Sequence, residues 1–195
     1  MNKYIFILFF SSLFAQIEYS SYLNFRYGDG SGDYTYDEIY SNLGINLNRP
    51  EDRFEASLSL ELSNPPEIGL KEDGVREFLL GYYNENFSLE FGDFYKTWGR
   101  GLILNQVMYQ HLDFDTGARG MSIEYQKDDL ILNVLGGESG IRKSTTLLGD
   151  YNPRVPNYFL DQNIYGSDLT LSSSDLIMGF SLLLTEQSDT DISST

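Results

Sequence analysis

Residues 53–63 alternate without a break. Phe54, Ala56, Leu58, Leu60 and Leu62 take one parity; Arg53, Glu55, Ser57, Ser59, Glu61 and Ser63 take the other. A helix would wrap both sets around its axis, whereas a strand sends successive side chains to opposite faces. The segment is therefore predicted as a strand with one apolar and one polar face. Two settings satisfy that pattern. In a bilayer the apolar row meets acyl chains and the polar row meets a wet lumen. In a soluble sandwich the apolar row turns inward and the polar row meets water.

The same period predicts strands over 17–27, 34–48, 75–83, 87–95, 118–126, 129–136, 163–171 and 176–184. In the second of these, Ile39, Leu43, Ile45 and Leu47 oppose Glu38, Asn42, Asn46 and Asn48. Residues 75–83 are less clean, since Glu77, Leu79 and Gly81 share one face. Tight turns fall near 49–52, 84–86, 127–128 and 172–175, and longer connections at 28–33, 64–74, 96–117 and 137–162. Short and long connections thus alternate, as in outer-membrane barrels with short periplasmic turns and long external loops. Greek-key sandwiches have no reason to alternate so regularly. The pattern favours an antiparallel up-and-down transmembrane β-barrel. It also requires that the excursion at about 96–117 not span the membrane, because a crossing there would move every later tight turn to the opposite end.

About nine strands result, whereas single-chain bacterial barrels use even numbers. The final residues, Asp191 to Thr195, contain no aromatic, although a closing strand ending in Phe is the usual signal for barrel-insertion machinery. Residues 16–195 are therefore expected to be the N-terminal part of a longer barrel. Residues 1–15 read as a signal peptide, with Lys3, an apolar run from Tyr4 to Phe14, and Ala15 before the expected cut. No later stretch is long and apolar enough for a transmembrane helix.

The chain carries 29 acidic and 13 basic residues, a net charge of −16. That balance opposes nucleic-acid binding, which needs Lys/Arg clusters on phosphates. Cysteine is absent and His111 is the sole histidine, so thiolate metal sites and Cys or Ser-His-Asp catalysis lose their support. No catalytic residue, cofactor or metal is expected. The acidic loop at Gly28–Asp33 and Asp113-Phe114-Asp115 carry calcium-type oxygens without the spacing of a calcium loop. Fifteen Tyr and 13 Phe suit interfacial aromatic girdles.

One stretch departs from the alternation. Phe91-Gly92-Asp93-Phe94-Tyr95 runs into Trp98-Gly99-Arg100-Gly101-Leu102, with the only tryptophan two residues before an arginine between glycines. Arg100 can pair bidentately with a carboxylate, and Asp93, Asp113, Asp115 and Glu90 are the candidates. Arg119-Gly120 repeats the Arg-Gly theme and is a further candidate for the same lumen or mouth network. Two roles are open for Arg100: a constriction or anion-selecting group, or a salt bridge that pins the excursion. Trp98 is expected as an aromatic anchor, in a girdle or holding the loop.

Gly92-Asp93-Phe94-Tyr95, Gly99-Arg100-Gly101-Leu102, Leu112-Asp113 with Asp115, and Ala118-Arg119-Gly120 together resemble a family of exported barrel proteins of Bacteroidota and related Gram-negative bacteria. That family carries a GDFY…GRGL pattern and is a domain of unknown function. Here Trp98 stands where the pattern has Phe. The resemblance covers about residues 87–137 and implies an outer-membrane location, without an activity or catalytic residues. The resulting expectation is a porin-like, transport or assembly barrel, partnered by outer-membrane lipid and barrel-insertion machinery. The alternative is a secreted β-sheet binding or adhesion module using exposed Tyr and Trp on glycans or proteins.

Overall fold

The computed structural model describes residues 17–29, 35–64, 73–109, 114–143 and 158–187. The expected signal peptide, His111, Asp113, Asp33 and the terminal residues lie outside them.

The protein is all-β. Its strands are β1 (Ile17–Asp29), β2 (Thr35–Asn48), β3 (Asp52–Ser63), β4 (Asp73–Asn84), β5 (Phe87–Phe94), β6 (Thr97–Trp98), β7 (Leu104–Asn105), β8 (Met108–Tyr109), β9 (Phe114–Asp115), β10 (Ala118–Lys127), β11 (Leu130–Lys143), β12 (Tyr158–Ser172) and β13 (Ile177–Gln187). The long strands pair antiparallel in the order β1-β2-β3-β4-β5-β10-β11-β12-β13, an up-and-down meander. Among the described residues the sheet is open: β1 pairs only with β2, and β13 only with β12.

The connections fall as the alternation predicts. Turns after β2, β4, β10 and β12 are short and share one end; those after β1, β3, β5 and β11 are longer and share the other. One expectation changes. The connection placed at 137–162 begins later and ends earlier than expected, because β11 continues to Lys143 and β12 begins at Tyr158. Gly136-Gly137 reads as a turn in sequence, yet these glycines allow two strands to approach closely. A Cβ on Gly120 would stand 2.2 Å from the Gly136 carbonyl oxygen, and one on Gly137 would stand 2.5 Å from that of Arg119.

The two faces of the sheet have opposite chemistry. On β3, Ser59, Glu61 and Ser63 are 3%, 1% and 4% exposed, while Leu60 and Leu62 are 37% and 55% exposed. Register carries this parity to the neighbours: Glu38, Tyr40 and Asn42 lie beside Ser63, Glu61 and Ser59, and Ile39, Ser41 and Leu43 lie beside Leu62, Leu60 and Leu58. Far across the sheet, Ser122 and Asp168 are buried while Met121, Phe180, Leu182 and Leu184 are exposed. The face carrying the buried polar groups is the inner face below.

Apolar residues fill only one part of that inner face. Phe94, Trp98, Leu104, Ala118, Leu135 and Ile164 form the buried apolar cluster, with Leu183 packed on it. Trp98 and Leu104 belong to the β5–β10 connection, which therefore lies against the inner side of the sheet.

Candidate functional site

The site is built around a bulge. Ser59 pairs with Glu77, but Leu60 pairs with Val75, so Arg76 is an extra residue in β4. A bulge turns two successive side chains to one side. Accordingly, Arg76 bonds inner-face Glu61 through Nη1 and lies 5.9 Å from the Tyr40 ring. Glu77 sits opposite inner-face Ser59. This accounts for the mixed face of residues 75–83 in the sequence.

The bulge leaves backbone groups of β4 without a ladder partner, since the β4–β5 pairing ends at Leu79 and Gly92. Asp93 and Arg119 supply the partners. Asp93 Oδ2 accepts a hydrogen bond from the Phe78 amide at 2.7 Å, and Arg119 Nη2 donates to the Arg76 carbonyl at 3.2 Å. The two side chains also pair bidentately: Arg119 Nε donates to Asp93 Oδ1 at 2.9 Å, and Nη2 to Oδ2 at 3.1 Å. Buried backbone donors and acceptors need partners, and here a salt bridge replaces two rungs of the ladder. The guanidinium also stands 5.2 Å from the Phe78 ring centroid.

Register explains why two separated sequence fragments act together. Gly92 is the partner of Gly120, and Asp93 is the partner of Arg119. Gly92 has φ +120°, and a Cβ there would lie 2.1 Å from the Phe78 carbonyl oxygen. The Gly-Asp and Arg-Gly pairs are therefore one structural unit on adjacent strands.

The remaining sequence candidates occupy different places. Glu90 pairs with Lys96 and accepts a hydrogen bond from the Tyr83 hydroxyl at 3.3 Å. Asp115 accepts from the Tyr95 hydroxyl at 3.4 Å and from the Gly117 amide at 2.8 Å. Although Tyr95 is 36% exposed as a residue, its hydroxyl faces an acidic group. Burial first, then the charges of Asp115, Glu77 and Asp93, hold its pKa above the ordinary value of 10.0. Arg100 joins none of these groups. It is exposed at φ 57° between Gly99 (φ 57°) and Gly101 (φ 80°), and among the described residues it forms no ion pair. Trp98 is 5% exposed and packed on the inner face. It anchors the connection from within rather than standing in an outward girdle.

Sequence reasoning missed Glu61, Arg76, Lys96 and Gln106. The only signal for the first two was adjacent Arg76-Glu77 breaking the alternation. Gln106 is buried, its Oε1 accepting from the Lys96 backbone amide at 3.1 Å and its backbone N–H donating to the Lys96 carbonyl at 3.0 Å. Among the described residues, no three acidic or histidine side chains converge as metal ligands would.

The fold and this network define an up-and-down antiparallel β-sheet protein with a polar inner face, crossed by a chain segment anchored on a tryptophan. The chain belongs to a family of unknown function, DUF6029, which matches residues 10–193. No curated protein and no solved structure matches it.

Proposed function

We propose that the protein is an outer-membrane β-barrel of porin-like or transport type without catalytic activity, the described strands forming its N-terminal part. The observation that carries this reading is the inverted burial of β3, in which Ser59, Glu61 and Ser63 are covered and Leu60 and Leu62 are open. A water-soluble sheet would cover the leucines, since each fully buried leucine contributes roughly 1.5–3 kcal/mol. A lipid-facing sheet has the opposite demand.

Two further features support it. The outer face carries an aromatic row near the short turns: Phe54 and Tyr82 lie 4.8 Å apart, Tyr82 and Phe87 6.4 Å apart, and Phe87 pairs with Tyr125. Interfacial girdles have this composition and position. The meander also needs more strands. β1 and β13 are the first and ninth strands along the path, so they run in the same direction. Antiparallel closure requires an odd number of additional strands between them. A second copy related by an axis along the barrel would set β13 parallel to β1, so a symmetric pair of these sheets would not close antiparallel.

The test is extraction of membranes from expressing cells. The barrel reading expects a urea-resistant, detergent-soluble protein that migrates differently on gels when unboiled. Release into buffer without detergent would instead favour a secreted binding module.

A further inference from the structure

The connection between β5 and β10 crosses much of the inner face. It leaves β5 at Phe94 and forms an antiparallel pair in which Thr97 meets Asn105 and Trp98 meets Leu104. Its tip is a 3-10 turn, Gly99–Gly101. A Cβ on Gly99 would stand 4.0 Å from Ser181 Oγ of β13. From β5 to β13 the sheet runs through β10, β11 and β12, four strand spacings or about 19 Å. The few residues from Phe94 to Gly99 cover nearly that distance only when extended, at about 3.3 Å each. The return limb reaches back to β4, where Met108 Sδ lies 3.9 Å from Arg76 Nη2. Residues 95–109 thus span the inner face from β4 to β13.

The seat of this strap is specific. Trp98 lies over Gly166, where a Cβ would stand 2.6 Å from Trp98 Cζ3, and Leu183 Cδ1 lies 3.1 Å from the same point. Leu135 and Ile164 complete the socket. Yet the seated strap retains unfavourable features. Three successive residues, Gly99, Arg100 and Gly101, are left-handed, and Arg100 is not glycine. Among the described residues, Gln106 Nε2 is buried without a hydrogen-bond partner. Non-glycine left-handed residues and unsatisfied buried amides both raise the energy of the state that holds them. The polar fixings of the strap lie at its two feet, where Lys96 pairs with Glu90 and Val107 exchanges hydrogen bonds with Thr116.

We propose that residues 96–106 form a displaceable strap across the barrel lumen, held closed by the Trp98–Gly166 seat, and that its release widens the passage along the polar wall of β1–β4. This rests on the membrane-barrel reading. The polar wall bordering that passage carries Asn42, Tyr40 and Ser59, joined by hydrogen bonds from Asn42 Nδ2 and the Tyr40 hydroxyl to Ser59 Oγ at 2.8 and 3.3 Å. It suits polar solutes.

The full-length protein reconstituted in planar bilayers tests the strap. Trp98→Ala is expected to raise mean conductance several-fold over wild type. Gly99→Cys with Ser181→Cys, in a stretch of 195 residues without a cysteine of its own, would place a disulfide between strap and wall. Oxidised, this variant is expected to show the closed-strap conductance without opening transitions, and reduction should restore them. Wild-type conductance in both Trp98→Ala and the oxidised pair would overturn the proposal and make the strap a fixed brace. If Trp98→Ala does not assemble, the redox comparison in the cysteine pair decides alone. A wild-type protein that fails to enter bilayers refutes the barrel reading itself, a distinct outcome from insertion with an unresponsive strap.

Discussion

Replacing Arg76 by methionine should destabilise the protein by about 3–5 kcal/mol, the usual cost of removing one partner from a buried ion pair. The magnitude follows from the asymmetry of the pair. The Glu61 side chain is 1% exposed and that of Arg76 is 15% exposed. Glu61 accepts from Arg76 Nη1 through Oε2, while among the described residues Oε1 is buried and receives no second hydrogen bond from that arginine. Methionine keeps an apolar stem against Tyr40 and Met108, so the loss is chiefly the cation. Glu61→Gln should cost less, roughly 1.5–3 kcal/mol for one hydrogen bond to a charged group, because the arginine head retains access to water. The double variant should lie near Glu61→Gln, so the favourable coupling should approach the whole cost of Arg76→Met, about 3–5 kcal/mol, at or above the top of the roughly 0.5–3 kcal/mol range for contacting residues. Denaturant unfolding in detergent micelles measures all four proteins, with tryptophan fluorescence, to which buried Trp98 contributes, as one probe and unboiled gel mobility as a second. Additivity within about 0.5 kcal/mol would refute the reasoning, since it would mean that water already solvates Glu61 in the folded state.

Three other outcomes are expected. Leu60→Arg should reduce membrane assembly, at a cost of roughly 2–4 kcal/mol if it lies near the bilayer midplane, whereas Ser59→Asn on the opposite face should assemble; quantifying folded protein by gel shift checks both. Gly92→Ala should destabilise by roughly 1–3 kcal/mol through its left-handed backbone and the clash with the Phe78 carbonyl, read as a lowered unfolding midpoint. Tyr95 is neutral in both folded and unfolded chains below its ordinary pKa of 10.0, so it adds no pH dependence there. Above that value the unfolded chain ionises first, and wild type should lose stability relative to Tyr95→Phe as pH rises. Unfolding curves collected from pH 9 to 11.5 show whether the two proteins converge.

The strands were legible because side-chain period needs only local sequence. Residues 53–63 state their geometry in eleven letters, and so do the short turns. Two properties were hidden. The passage of β11 through Gly136 and Gly137 depends on glycine meeting glycine across β10 and β11, which local sequence does not state. The bulge at Arg76 arises from unequal residue counts on β3 and β4 between fixed pairs, which cannot be seen until both registers are known. For the same reason Asp93 was a candidate for the nearby Arg100, while the meander brings Arg119 to it from twenty-six positions away. Trp98 could be recognised as an anchor, but its socket is made by Gly166, a residue whose contribution is the absence of a side chain.

The recognisable sequence fragments divide by the work they do. Gly92, Asp93, Arg119 and Gly120 act on backbone: two make room, and two satisfy the amide of Phe78 and the carbonyl of Arg76. Their loss should therefore change how much protein assembles. Arg119→Lys separates geometry from charge here, because an ammonium keeps the attraction to Asp93 but lacks the planar fork that reaches Oδ1, Oδ2 and the Arg76 carbonyl together. Trp98, Gly99, Arg100 and Gly101 bond to no rung of the main sheet. They shape and seat the strap, so their loss should alter the assembled protein's conductance. Arg100 carries an exposed charge on the strap tip rather than bracing Asp93, and neutralising it should leave unfolding midpoints within about 0.5 kcal/mol of wild type, as expected for a surface substitution. A larger destabilisation would return Arg100 to the bracing role.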